Sequence, residues 1–376
     1  MIVIGFLTTS CVGFSQHMGE GVANGMELRA RQYAMSHAAD VKPQAVNISC
    51  QNPVFIANSN NSSVTWLCAN GGTKANISGT FFEIPYGAGA VAMANTPDNQ
   101  LLVSDYANNW YKLSDTSSRG VADGVVEYAG MPYTEHLFPM SSTDIMSDDS
   151  FRGRLFRFKL SGNQATTTQS GSLPGFGRGI TPLVFSQKLS KLFVINHDND
   201  TVMVYPFNNG QVTGKPSVLY AGWRVNSLAL DEETNTLFIA MVGDCNDQRM
   251  PVPGTNQTGV SSGGCSPSQI LAMRLTPTNY VASISFRGGM LNMLPYNSGN
   301  PMAVVGGKLY VLSVKTTDPE NYQQMILSYD FQLAFKTGAP TEAEIFADES
   351  ILGPSSFIRS MIGFKGGPVV AVPTVN

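Results

Sequence analysis

An all-β ring of small antiparallel sheets is the fold that this chain of 376 residues predicts, and three observations predict it. The stretch LFVINHDNDTVMVY (192–205) repeats VFIANSNNSSVTWL (54–67) without a gap. Each copy is an apolar strand, a polar elbow of Asn, Asp and Ser that tolerates turn geometry, and a second alternating strand, which together make a hairpin. The offset, 192 − 54 = 138 residues, divides into three units of 46, the length of one four-stranded blade. Further strand copies start at Leu101, Asp144, Thr236, Lys308 and, in part, Gly366. The prediction is a β-propeller of four-stranded blades, and six and seven blades both fit the count, because a ring often closes by pairing strands from the two chain ends.

The interval from Thr236 to Lys308 exceeds one blade by about half, and the excess falls in a Gly/Ser/Pro-rich run, expected to be an inserted loop over 244–268. The domain expectation is therefore 41–376 for the propeller, 17–40 for a leader and 1–16 for a signal peptide. In the leader, GMELRARQYAMSHAA has helical periodicity, the clearest amphipathic helix in the sequence. The first sixteen residues are a short apolar run ending in small and polar residues, as in a secretory signal, although no basic residue opens it. No other segment approaches the roughly 18 apolar residues that a membrane-spanning helix needs.

Apolar residues make up 43% of the chain, enough for a core, whereas charged residues are only 13%, about half the usual share. With a net charge of −4, nucleic acid and anionic membrane surfaces are poor partners. Asn-x-Ser/Thr triplets stand at Asn47, Asn60, Asn61, Asn76, Asn199 and Asn256, and together they favour export and glycosylation. Cys50 and Cys68 flank the first hairpin, and Cys245 and Cys265 bracket the inserted loop. Of the three ways to pair these four, two local disulfides is the simplest, each stabilising by roughly 3 kcal/mol. Buried free thiols are the alternative.

Candidate chemistry is sparse. Of four histidines, His197 lies in the elbow NHDND, where it would serve as a general base if that elbow faced the central channel. Its counterpart in the first hairpin is Ser59, which favours a generic turn residue; His136, in the connection YTEHLFP, is the weaker candidate. Asp148 with Asp149, Asp198 with Asp200, and Asp244 with Asp247 place carboxylates in elbows. Ca²⁺ takes such oxygen ligands, yet Asp is also a default turn residue, and no cofactor is the leading expectation.

One stretch carries a family resemblance. WRVNSLALDEETNTLFIAMVGDCNDQ (223–248), followed by QILAMRL, resembles the soluble glucose and sorbosone dehydrogenases, quinone-dependent sugar-oxidising six-bladed propellers. Leu228, the strand 237–239 and the run Val242, Gly243, Asp244, Cys245, Asn246 fit that family's frame over about 50 residues. Where the family carries its catalytic His, this chain has Trp223 or Arg224, neither of which can act as a neutral base. Where it carries a quinone-binding Arg, the corresponding run 289–292 has none. The resemblance thus implies kinship with degenerate catalytic positions. It leaves Trp223, Arg224, Asp244 and Asn246 as ligand-binding candidates, while the acidic elbows, independently of the resemblance, offer Asp198, Asp200 and Asp247 as candidate metal ligands. The expected function is that of a secreted, glycosylated, non-catalytic module that binds a glycan or an extracellular protein, self-assembly included. Two alternatives are a propeller enzyme, either a quinone-dependent sugar dehydrogenase or a calcium-dependent lactonase-like hydrolase, and a subunit of an extracellular filament.

Overall fold

The structure is a computed structural model that describes residues between 52 and 364, with its longest breaks at 127–135, 174–182, 242–268 and 292–301. Six antiparallel sheets of four or five strands make up the described residues. The first blade contains β1 (Val54–Asn58), β2 (Ser63–Cys68) and β3 (Ile77–Glu83), and the second contains β4 (Ala90–Asn95), β5 (Leu101–Asp105), β6 (Trp110–Asp115) and β7 (Arg119–Val126). The third is β8 (Leu137–Ser141), β9 (Asp144–Asp149), β10 (Arg154–Ser161) and β11 (Gln164–Ser172). The fourth is β12 (Leu183–Ser186), β13 (Lys191–Asn196), β14 (Thr201–Asn208), the short β15 (Gln211–Val212) and β16 (Ser217–Ala221). The fifth is β17 (Val225–Asp231), β18 (Thr236–Met241), β19 (Gln269–Leu275) and β20 (Tyr280–Arg287). The sixth has β21 (Met290–Leu291), β22 (Met302–Val305), β23 (Lys308–Thr316), β24 (Gln323–Asp330) and β25 (Glu344–Ala347).

The last strand, β26 (Ile358–Gly363), does not start a seventh blade. It pairs antiparallel with β1, from Val54↔Gly363 to Asn58↔Ile358, and becomes the innermost strand of the first blade. Six blades is therefore the number. The copy at Gly366 lies outside the described residues, as do the leader expectations for 1–16 and 17–40.

The repeat seen in the sequence is the second strand of each blade, and its burial explains why it stands out. β1, β5 and β18 are buried along their whole length. A blade packs a neighbour on each face, so its inner strands read as continuous apolar runs rather than as alternation. The core accordingly divides into six apolar clusters, one between each pair of adjacent blades. Between the second and third blades, Trp110 is fully buried and meets Phe158 edge to face with ring centroids 5.0 Å apart. Between the fifth and sixth, Phe238 meets Phe331 at 5.0 Å, and within the sixth blade, in the cluster it shares with the first, Tyr310 meets Phe346 at 4.6 Å.

Two short helices escaped the sequence reading, which singled out only the leader. Helix α1 (Phe331–Thr337) buries only Phe331 and Ala334, is capped by the Asp330 carboxylate accepting from Leu333 N at 2.8 Å, and stops at Gly338, whose φ is 73°. Helix α2 (Glu349–Leu352) is a single turn capped by Asp348. Neither is long enough to develop a periodic stripe, and among the described residues no helix is long and apolar enough to cross a membrane.

The third blade carries a charged cluster. Asp144 accepts from Arg157 at 2.8 and 2.6 Å and from Lys159 at 2.7 Å, and Arg157 also donates to the Asn209 carbonyl of the next blade. The bond from Arg157, foremost, holds the Asp144 carboxyl below its ordinary pKa. A folded-state pKa below the unfolded one stabilises the fold above pH ~4, and that contribution is lost as pH falls through the folded value. Asp144→Ala is expected to cost about 2 kcal/mol at pH 7. The gap between the urea midpoints of variant and wild type should narrow below pH ~4; a gap that does not change with pH would assign the loss to packing instead.

Candidate functional site

The two ends of the ring are built differently. The inner strands of neighbouring blades run in the same direction. Asn95 at the end of β4 donates to Gly363 O at the end of β26 (3.0 Å). At the ends of β12 and β17, Glu232 accepts from Ser186 Oγ (3.1 Å) and Gln187 N (2.6 Å). At this end, tight turns join the first and second strands of a blade. They use residues with positive φ such as Ser190 (51°), Asn235 (53°), Gly306 (61°) and Gly307 (77°), a conformation that Gly and Asn accept most easily.

At the opposite end the inner strands begin, as the register Ala90↔Asp105, Val225↔Met241 and Ile358↔Asn58 fixes. All second-to-third-strand and blade-to-blade connections leave from here, including 127–136, 173–182, 242–268 and 288–301. Met241 and Gln269, the strand residues on either side of the expected inserted loop, are register partners at this end.

At the equivalent repeat position near this end, the second strand of most blades carries a buried polar residue: Asn58, Asp105, Asp148, Asn196 and Ser313, each 8% exposed or less; in the fifth blade Met241 stands there instead. Asp105, Asp148 and Asn196 each hold the end of a connection. Asp105 accepts from Asn109 N and Nδ2 at 2.9 Å and from the Tyr111 hydroxyl at 2.7 Å. Burial, reinforced by the neighbouring carboxylate, pushes the Tyr111 phenol well above its ordinary pKa. Asn196 Oδ1 accepts from Asp198 N at 3.0 Å.

In the third blade the same position becomes a carboxylate–imidazole pair. His136 directly precedes β8, and Asp148 accepts from its backbone N at 2.9 Å and meets its Nδ1 at 2.7 Å. Their side chains are 7% and 4% exposed. The connection that made His136 look unimportant in sequence thus brings it onto a blade. Aligning the second strands as repeats would have revealed the signal, because Ser104-Asp105 and Ser147-Asp148 occupy the same place. Asp148→Ala should cost about 2–3 kcal/mol by removing that acceptor from two buried donors, read as a lower urea midpoint; a loss below ~0.5 kcal/mol would mean that the pair is incidental to the fold.

The inner strands of all six blades surround a central cavity of about 560 Å³, to which His136, Phe138, Phe185, Leu230, Val304 and Ile362 contribute. The innermost strands are bonded on one side only, so their other backbone edge faces this channel.

The structure brings some of the sequence candidates to the loop-bearing end. Asp198 and Asp200 lie in the elbow between β13 and β14, Asp198 exposed and Asp200 with a φ of 52°. His197, Trp223, Arg224, Asp244, Asn246 and Asp247 lie outside the described residues. Among the described residues no three His, Cys, Asp or Glu side chains gather as metal ligands. Asn76 and Asn199 are exposed, and Thr201 Oγ1 donates to Asn199 Oδ1 at 2.5 Å; Asn47, Asn60, Asn61 and Asn256 lie outside the described residues. Cys68, buried at the end of β2, is disulfide-bonded, while Cys50, Cys245 and Cys265 lie outside the described residues.

No family model matches the chain, and no curated protein matches it. Solved structures do. One from a nidogen/laminin complex is 12% identical, with a TM-score of 0.52, over 83% of this chain and 98% of that one. A functionally unknown protein from Desulfotomaculum acetoxidans is 12% identical over 85% and 89% of the two chains, with a TM-score of 0.47. A periplasmic gluconolactonase from Pseudomonas aeruginosa is 14% identical over 64% and 68%, with a TM-score of 0.39. At such identities the likeness is one of fold, and the fold is the six-bladed, all-β propeller.

Proposed function

We propose that this protein is a secreted, glycosylated binding module that recognises a glycan or an extracellular protein with the loop-bearing end of its propeller. One observation carries the reading: the longest connections issue from one end of a ring whose first and last strands are paired, while first-to-second-strand turns at the other end are short. Loops fixed to a rigid scaffold are where recognition concentrates. Disulfides Cys50–Cys68 and Cys245–Cys265, glycans on the exposed Asn76 and Asn199, and distant kinship to the sorbosone dehydrogenase-like propellers belong to the same proposal.

The test is an array of immobilised extracellular glycans and matrix proteins, probed with the wild-type chain and with a variant whose residues 244–268 are replaced by a short Gly-Ser turn. Binding that falls at least tenfold in the variant, with the thermal midpoint within a few degrees, is expected. Equal binding by both would place recognition elsewhere.

The His136–Asp148 pair at the channel favours a second reading, a lactonase-like hydrolase. Hydrolysis of sugar lactones, with and without Ca²⁺, abolished by His136→Ala would replace the binding reading with a catalytic one. Aldose oxidation with added pyrroloquinoline quinone tests the dehydrogenase branch.

A further inference from the structure

We infer that the groove between the third and fourth blades binds a sugar acid, a small hydroxylated monocarboxylate, with its carboxylate on Arg157. The inference does not rest on what the loop-bearing end recognises.

The first argument is shape. The fourth blade carries the added strand β15, and Arg157 of β10 reaches across to donate to Asn209 O in the β14–β15 turn. Beneath that contact lies a groove of about 540 Å³, within the range of small-ligand sites. Alternate residues of a strand share a face. The registers Leu155↔Asp148, Arg157↔Met146 and Lys159↔Asp144 therefore set all six residues on the face that Leu155 and Met146 turn to the fourth blade. Met146, Leu155, Leu173 and Phe207, each 8% exposed or less, form an apolar floor. Exposed Gln211 and Thr213 form the rim, and β15 pairs with β14 on one edge only. Opposite them Gly171, the register partner of Leu155, leaves the groove open, for a Cβ added there would meet no atom within 4 Å.

The second argument is charge. Among the described residues of the lining, Arg157 is the one charged side chain. Its Nε and Nη2 donate to Asp144 and its Nη1 to Asn209 O. A guanidinium has five N–H donors, so two remain, on a side chain that is 22% exposed. Asp144 also accepts from Lys159, so one carboxylate serves two cations, and exposed Lys215 follows the rim residue Gly214. Asp148, the other carboxylate on this face of β9, is turned to His136. A second carboxylate is what Arg157 and Lys159 lack between them, and the planar guanidinium suits one. Floor and rim select the rest of the ligand. A pyranose ring can lay a C–H face on the floor and offer hydroxyls to Gln211, Thr213 and the open edge of β15, whereas an alkyl chain would leave that rim without partners.

The test is calorimetric titration of the full chain with D-glucuronate, D-galacturonate and N-acetylneuraminate. Saturable one-site binding of at least one is expected, with its methyl ester, D-glucose and inorganic phosphate each at least tenfold weaker. Gly171→Leu places a side chain in the groove without touching Arg157, and should weaken the acid at least tenfold at an unchanged urea midpoint. Ser217→Leu is the control: Ser217 is exposed on the outer strand of the fourth blade, and its register partner Val204 packs toward the fifth, so binding should not change. Replacing 244–268 by a Gly-Ser turn should also leave it unchanged, which separates this site from the loop-bearing end. No saturable binding of any of the three acids, equal binding by Gly171→Leu, or an ester or phosphate that binds as well as the acid would each overturn the proposal.

Discussion

A chain ending before Ile358 is expected to lose cooperative unfolding altogether. β26 supplies Ile358 and Met361, 0% and 1% exposed, to the cluster that joins the sixth and first blades. It also pairs with the inner edge of β1. Removing it leaves β1 as an unpaired edge and exposes one side of the contact between the first blade and the sixth. The ring then has two open blades, and an apolar edge strand is a template for aggregation. The measurement is a urea titration followed by tryptophan fluorescence and far-ultraviolet circular dichroism. Loss of a single coincident transition is expected, with recovery when a peptide spanning 354–376 is added in excess. A truncated chain that unfolds in one sharp step at the wild-type midpoint would show that ring closure contributes little.

Trp110→Ala should be the most damaging single substitution in the interior, at about 4 kcal/mol. The indole is fully buried between two blades, packs edge to face on Phe158, and is surrounded by Leu102, Leu137 and Leu160. Two sheets held apart by the rest of the ring cannot close over the vacated volume, so a cavity term adds to the lost transfer energy. Trp110→Phe should cost less than half as much, because it keeps an aromatic contact with Phe158 and deletes Nε1–H, a buried donor with no partner among the described residues. Equal losses for the two variants would contradict this account.

Much of the architecture was legible because one strand of every blade is buried on both faces. The copies starting at Val54, Leu101, Asp144, Leu192, Thr236 and Lys308 are all second strands, and the register Val54↔Leu67 and Leu192↔Tyr205 is the hairpin that the gapless repeat implied. Outer strands were not legible in the same way. β16 reads Ser217–Ala221 with no buried residue, and β11 is dominated by Gln, Thr and Ser, so neither has an apolar pattern to detect. Blade number could not be settled from the repeat, because β26 has no second-strand signature and declares itself only by pairing with β1. The site was less legible than the fold. His136 and Asp148 are 12 residues apart, and only the turn from β8 to β9 brings them together. The channel wall is contributed by residues scattered from Ala92 to Gly363, which no local window unites.

The pairing of β1 with β26 also sets a schedule for synthesis. The first blade's partner strand emerges roughly 300 residues after Val54, on the order of 15–60 s later at translation rates of 5–20 residues per second. As the chain lengthens, blades two to five each gain their neighbours in turn and can assemble, whereas β1 waits with one flank bare. The nascent chain therefore carries its most vulnerable surface at its beginning, and a helper that shields extended segments would have to act there until the final strand arrives.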